Sequence, residues 1–381
     1  MAVYADYAAT APLRPQARAA VLEAIDAGFG NPSSAHAAGR RARARLEAAR
    51  EEVAAVLGVH PLEIVFTGGA TEANNLALAG FAAASAAVNR IAGPATEHAS
   101  ILAPARVLAA RGRVFVELPV DTTGRTDAAA VVAARPDLLS VALVNAETGV
   151  LQDVAALAAA ARAGGAVVHV DAAQAPAFLA VAPATLGADL VTLSSSKVGG
   201  PAGAGALVVR RGTVLAALAH GGQQEQGRRA GTENVAAIAG FAAALAVAAA
   251  ERERETLRLA ALRTRLRAGI AAAWPGVRFT LAADVPAAPH IVNVTLPGVV
   301  GEDVVAALDL EGVAAATGSA CAAGAAEPSH VLLAMGYTAG AARSSLRTSL
   351  GWASTSGDVD AIVAALARVH ARMARSSEEA A

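Results

Sequence analysis

Three short stretches of the chain hold residue types suited to one joint piece of chemistry. The first, Thr67-Gly68-Gly69-Ala70-Thr71-Glu72, follows a β-branched run and opens a helical one. Small residues there let backbone amides approach an anion, the helix N-terminus favours negative charge, and Thr71 offers a hydroxyl. The second is Asp171-Ala172-Ala173-Gln174. A carboxylate at a strand end can neutralise a protonated ring nitrogen, and Gln174 can reach a neighbouring ring substituent. The third, Ser194-Ser195-Ser196-Lys197-Val198-Gly199-Gly200-Pro201, sets a lysine among hydroxyls at the mouth of a glycine-rich loop. A lysine that forms a Schiff base needs a lowered pKa, which burial supplies, and Ser194 and Ser196 can donate to a phosphate. Taken singly, the glycine pair also reads as a tight turn and Asp171 as a helix cap.

Taken together and in this order, the three stretches fit pyridoxal phosphate: a phosphate cradle, an acid for the pyridine nitrogen and a lysine for the aldehyde. The first stretch matches neither the Walker pattern nor the dinucleotide fingerprint.

Such residues must be carried to one place. Ile64–Thr67, Val141–Val144, Ala166–Val170, Leu190–Ser194 and Ala206–Val209 read as strands, and alanine-rich helical stretches such as 71–84 lie between them. That alternation predicts an α/β fold with a largely parallel sheet covered on both faces. Ligands of such sheets gather beyond the carboxyl ends of the strands, where the polar residues above all fall. The apolar run Val235–Ala250 reads as a buried helix, shorter than the roughly 20 residues a membrane span needs. The charged stretch 251–255 then marks a joint to a smaller C-terminal unit, with strands at Ile291–Leu296 and from Val313, a helix at Val304–Leu310 and a frayed tail at Ser376–Ala381.

The 381 residues carry 31 basic and 32 acidic side chains, a net charge of −1, which gives no footprint for nucleic acid. Arg40, Arg41, Arg43, Arg45 and Arg50 alternate with Glu47, Glu51 and Glu52 and read as a solvated or interface helix face. The composition, 55% hydrophobic but 3% aromatic, is that of an alanine-rich globular protein. One cysteine, Cys321, excludes an intramolecular disulfide framework. No signal-peptide pattern opens the sequence, and the expected location is cytoplasmic.

The chain resembles the cysteine desulfurases of the class V aminotransferase family from its first residues to about Leu366. The matching stretches include Asp6-Tyr7-Ala8-Ala9-Thr10, Asn31-Pro32-Ser33-Ser34, Phe66 to Asn75, Thr96-Glu97-His98, Asn145-Ala146-Glu147-Thr148-Gly149 and Asp171 to Gln174. The Lys197 segment, Arg229-Ala230-Gly231-Thr232, Gly318-Ser319-Ala320-Cys321 and Ser344-Ser345-Leu346-Arg347 complete the set. The resemblance implies the type I fold of pyridoxal-phosphate enzymes. Residues 15–252 would form a large domain with a mostly parallel seven-stranded sheet. Residues 1–14 and 253–381 would form a smaller α+β domain that carries the cysteine loop.

It also implies roles. Lys197 would hold the cofactor and move the α-proton, Asp171 would pair with the pyridine nitrogen, and His98 would stack on the ring. Asn145 and Gln174 would contact the ring hydroxyl region, with Asn145 also near the substrate. Ala70, Thr71, Ser194 and Ser196 would hold the phosphate, joined by Thr232 from the second subunit of a homodimer. Arg347 would grip the carboxylate of L-cysteine in a bidentate pair. Cys321 would attack the substrate sulfur, leave L-alanine, and carry a persulfide to an acceptor protein. An ordinary thiol of pKa about 8.5 is mostly protonated at neutral pH, so a neighbour must favour the thiolate. His98 is the expected proton acceptor.

Ser196 departs from the family pattern, which has histidine before the lysine; a serine hydroxyl is shorter and carries no charge. Its expected effect is weaker cofactor retention. The ending Arg375-Ser376-Ser377-Glu378-Glu379-Ala380-Ala381 lacks the apolar-aromatic tail of members serving an iron–sulfur scaffold. A sulfur carrier, a tRNA-thiolation enzyme and other acceptors stay open. So do a selenocysteine lyase, a transaminase or another lyase on the same fold, and a catalytically weak scaffold paralogue.

Overall fold

Strands with apolar residues at successive positions can be buried only between two layers, and this chain supplies both. A computed structural model describes residues 3–85, 88–318 and 327–379, with side chains to 375. Its main sheet has seven strands in the order Ile64–Thr67, Gly205–Val209, Leu190–Ser194, Val167–Asp171, Leu138–Ala142, Arg90–Pro94 and Val114–Leu118. Gly205–Val209 runs antiparallel to both neighbours, and the other pairings are parallel. Alternation along each strand divides the core between the faces. Ile64, Phe66, Val191, Leu193, Ala206 and Val208 pack on one side with Phe241 and Leu245; Val65, Leu190, Leu207 and Val209 pack on the other with Leu76 and Ile101.

The strands Ile64–Thr67 and Leu190–Ser194 lie where the sequence puts them. The strand expected at 141–144 begins and ends earlier, at Leu138–Ala142, because Leu138 and Leu139 face opposite cores. The helix expected over 71–84 is interrupted: Ala70–Asn75 passes through a π-type turn, Leu76–Gly80, into Phe81–Ala84.

At the joint expected near 251–255 the chain stays helical. Val235–Ala273 is one helix of 39 residues. Its apolar first half packs Phe241 and Leu245 against the main sheet. Its second half presents Leu259, Leu262, Leu266 and Ile270, at helical spacing, to a separate core with Val292, Val294, Leu346, Ile362 and Leu366. Two of the acidic residues between the halves are paired: Glu251 with Arg14 at 2.6 Å and Glu255 with Arg258 at 2.8 Å. By length and composition alone this helix could cross a membrane, but its apolar residues are those that build the main core.

Around the second core, Ile291–Thr295 pairs antiparallel with Ser345–Ser349 and with Arg278–Phe279. Val3–Tyr4 lies parallel to Val313–Ala314, and Asp6 bridges to Ser349. The N-terminal segment is thereby fixed beside Arg347. The C-terminal helix runs over Ser356–Glu379, through much of what the sequence suggested was a frayed tail. Arg50, assigned from sequence to a solvated face, is buried: its guanidinium binds both carboxyl oxygens of Glu225 at 2.8 Å and lies over Phe66.

Candidate active site

The carboxyl ends of the parallel strands open on a cavity of about 800 Å³. Ala70, Thr71, His98, Asn145, Asp171, Gln174, Ser194, Ser196, Lys197 and Arg347 all line it. Thr232 does not; it is exposed on its own chain. Cys321 lies outside the described residues, although Gly318, three positions before it, lines the cavity.

Asp171 ends its strand with the carboxylate held from two directions. Asn74 donates to Oδ2 at 2.8 Å and the Ala173 amide to Oδ1 at 2.9 Å. Asn74 also donates to Ser100 Oγ at 2.8 Å, which ties the acid to the helix that follows His98. The contact with the Ala173 amide closes a local turn and not a helix cap, since no helix follows it before Pro183–Leu186.

Lys197 sits in a short 3₁₀ turn after its strand, Ser195–Lys197. Its Nζ donates to the carbonyls of Ala8, at 2.8 Å, and Ala9. Gln174 Nε2 donates to the same Ala8 carbonyl at 2.7 Å. The N-terminal segment thus orients both side chains, an arrangement that its sequence gives no sign of. Ser194 and Ser196 face one another, Oγ to Oγ 3.3 Å, beside the 69–71 turn. That turn packs so tightly on the sheet that a Cβ on Gly205 would lie 2.7 Å from the Gly69 Cα, and only glycine fits there.

His98 caps the helix Ala99–Ala110 through Nδ1, which accepts from the Ser100 amide at 3.1 Å and lies 2.8 Å from Ser100 Oγ. This network assigns the ring proton to Nε2. Burial lowers the His98 pKa, opposed by the charge of Asp171 and assisted by those of Lys197 and His330. Asn145 is largely committed. Its Oδ1 accepts from the Glu147 and Thr148 amides and the Thr148 hydroxyl, and its Nδ2 donates to the Thr96 carbonyl at 2.9 Å. One amide hydrogen remains for a ligand.

Arg347 is a hub. Nη1 donates to the carbonyls of Gly318 at 2.7 Å and Ala146 at 3.0 Å, and Nη2 to Asp6 at 2.6 Å. Its Nε is buried with no partner among the described residues. Two buried acids line the same cavity without having been assigned any role from sequence. Burial pushes the Glu97 carboxyl up to about 8, against a hydrogen bond from the Ala142 amide and with help from the charge of Asp171. Burial pushes Glu147 up to about 7, against Ser329 and Arg347. Both fall within stretches the sequence singled out, yet their burial is a tertiary fact. His330, whose Nε2 lies 3.0 Å from the Glu97 carbonyl, carries no sequence signal of its own.

The donor set fits pyridoxal phosphate: an anchored carboxylate, a buried-edge lysine, paired serine hydroxyls beside a glycine turn, and a guanidinium with an unpartnered donor, all on one cavity.

The profile of class-V aminotransferases matches residues 3–362. A cysteine desulfurase IscS from Dictyoglomus turgidum is 38% identical over 96% of this chain and 94% of its own length. An IscS-like cysteine desulfurase from Mycobacterium tuberculosis is also 38% identical, over 99% of this chain and 98% of its own. A solved NifS-like protein superposes with a TM-score of 0.90 at 30% identity, covering 97% of this chain and 99% of that one. The seven-stranded, mostly parallel sheet expected of the type I fold is the one observed. The chain belongs to the class-V aminotransferase family, among its cysteine desulfurases.

Proposed function

We propose that the protein is a pyridoxal-phosphate-dependent cysteine desulfurase that converts L-cysteine to L-alanine and holds the sulfur as a persulfide on Cys321 for an acceptor protein. The observation that carries this reading is the convergence of Lys197, Asp171, Arg347 and Gly318 on one cavity. The relatives named above are desulfurases over nearly the full chain, which favours this reaction over a lyase or transaminase on the same fold.

When bound, the cofactor supplies an electron sink for the pair left at the substrate α-carbon. The chain's own residues do the rest. Asp171, held in place by Asn74 and the Ala173 amide, would face the pyridine nitrogen. Ser194, Ser196 and the 69–71 turn would take the phosphate, and Thr232, exposed on its own chain, would reach the cavity of the partner in a homodimer. Lys197 moves the α-proton at Nζ, steered by the Ala8 and Ala9 carbonyls. Arg347 would take the substrate carboxylate, with the Nη2–H that Asp6 leaves over. His98, with its proton on Nε2, serves better as a donor toward a developing thiolate than as acceptor of the thiol proton. Cys321 as thiolate attacks the substrate sulfur: the new S–S bond forms as the substrate C–S bond breaks, and the three-carbon product takes up protons to leave as alanine.

The test is the product. Cofactor-loaded wild type should turn L-cysteine into alanine in the presence of a thiol reductant, and Cys321→Ala should not. An oxo acid product would instead mark a transaminase.

A further inference from the structure

Arg347 and Ser349 are alternate residues of the strand Ser345–Ser349, so their side chains leave the same face. Arg347 lines the cavity; Ser349 does not, and is wholly buried. The Ser349 hydroxyl accepts from the Ala8 amide at 2.9 Å. The carbonyl of the same Ala8 accepts from Lys197 Nζ at 2.8 Å, and the Ala9 carbonyl accepts from Nζ as well. Hydrogen bonds in series therefore run from the lysine, through one residue of the N-terminal segment, to the strand that carries Arg347.

That segment is built to transmit a position. Its residues 6–10 form a tight turn, in which the Asp6 carbonyl accepts from the Ala9 amide at 3.1 Å and the Thr10 amide at 3.3 Å. On the strand side, the Ser349 amide donates to the Ala5 carbonyl at 2.7 Å and Asp6 pairs with Arg347 at 2.6 Å. A Cβ on Gly351 would overlap the Tyr7 ring, so the strand end and the turn are in close contact. On the lysine side, the Ala11 amide donates to the Ser196 carbonyl at 2.8 Å, one residue before Lys197. Ala8 is only 2% exposed, so without the Ser349 hydroxyl its N–H would lose its partner out of reach of water.

In an α-amino acid the carboxylate and the α-hydrogen sit on one carbon. A grip on the first and a base for the second must keep a fixed separation, and a misplacement of about 1 Å can cost on the order of 100-fold in rate. We infer that Ser349 is a positioning residue: through the Ala8 amide it sets Lys197 Nζ relative to Arg347, so that a substrate held by its carboxylate presents its α-hydrogen to the amine. This rests on the reading of the chain as an enzyme acting on an α-amino acid.

Two ligands separate the lysine from the arginine. L-Alanine has the carboxylate, the amine and the α-hydrogen but no sulfur. Exchange of its α-hydrogen in D2O, followed by NMR on cofactor-loaded protein, reads the Lys197 step without Cys321. Butyrate has the carboxylate alone, and its dissociation constant by calorimetry reads the Arg347 grip. Ser349→Ala should slow the exchange at saturating L-alanine about tenfold or more, and keep butyrate affinity within about twofold of wild type. Lys197 is the only lysine of the chain, so cofactor absorbance reports a single attachment and selects folded protein. If Ser349→Ala does not hold cofactor, Ser349→Cys, similar in shape but a weak acceptor, takes its place with the same expectations. Exchange at the wild-type rate in the variant, or no exchange in wild type, would overturn the inference. So would equal losses of exchange and of butyrate affinity, which would make Ser349 a support for the whole strand. If exchange and butyrate follow the expected pattern while wild type makes no alanine from L-cysteine, the role of Ser349 stands and the desulfurase reading falls.

Discussion

Asn74 donates to Asp171 at 2.8 Å across 97 positions of sequence, linking the helix after the glycine turn to the end of a central strand. The bond has a charged acceptor and lies out of water, where such bonds contribute about 1.5–3 kcal/mol. Asn74→Ala should therefore weaken cofactor retention about tenfold or more, read as the dissociation constant in an absorbance titration. Unchanged retention would mean that the Ala173 amide alone fixes the acid.

The Arg50–Glu225 pair anchors the loop before Arg229 to the first strand of the sheet, because Glu225 also accepts from the Phe66 amide at 2.8 Å. Glu225 and Gln226 both adopt left-handed backbone, at φ 49° and 61°, to make this contact. Removing one partner leaves a buried charge. Arg50→Ala should cost about 3–5 kcal/mol in chemical denaturation. A loss below 1 kcal/mol would show that the pair is solvated in solution.

Glu97 gives stability a pH dependence of definite sign. Its folded pKa, about 8, lies above its ordinary value, so the folded state holds a proton that the unfolded state releases. The contribution is complete below about pH 4.5 and is lost as pH rises through 8. Between those limits the stability of wild type relative to Glu97→Gln should fall by up to about 1.4 kcal/mol per pH unit. Parallel stability curves for the two proteins would show that Glu97 ionises normally.

Gly318 is needed as glycine on two counts, its φ of +137° and the Glu147 carboxyl beneath it. Gly318→Ala should leave the cofactor bound and lower alanine formation at least tenfold, since it displaces the chain that leads to Cys321 and the carbonyl that Arg347 holds. Wild-type turnover in that variant would separate the Arg347–Gly318 contact from catalysis.

Ser196→His should tighten cofactor binding, because an imidazole reaches farther than a hydroxyl and can carry charge toward a phosphate. An unchanged dissociation constant would dismiss that residue as a determinant of retention.

Much of this was legible in the sequence, for physical reasons that differ by element. Ile64–Thr67 and Leu190–Ser194 announce themselves because continuous β-branched and apolar runs ending at chemistry-bearing residues have few other folds available. Arg90–Pro94 and Val114–Leu118 do not: the first holds a glycine and a proline, and the second is a half-exposed edge. Ser345–Ser349 is a fully buried strand made mostly of polar residues, so hydrophobic pattern passes it by although its Arg347 was singled out. The charges at 251–255 mark where one helix passes from the first core to the second, but that the chain stays helical there, and that Glu251 meets Arg14, depends on contacts from distant sequence. The site's named residues were visible as motifs. The carbonyls of Ala8 and Ala9, the committed amide of Asn145 and the buried acids Glu97 and Glu147 were not, because each depends on what the fold brings beside it.

The central claim is tested most directly by alanine formation from L-cysteine on cofactor-loaded protein, with and without a thiol reductant, beside Cys321→Ala. A desulfurase makes alanine and sulfide as wild type, and none as the variant while its cofactor absorbance persists. Equal alanine from both proteins, or none from either, would contradict that claim.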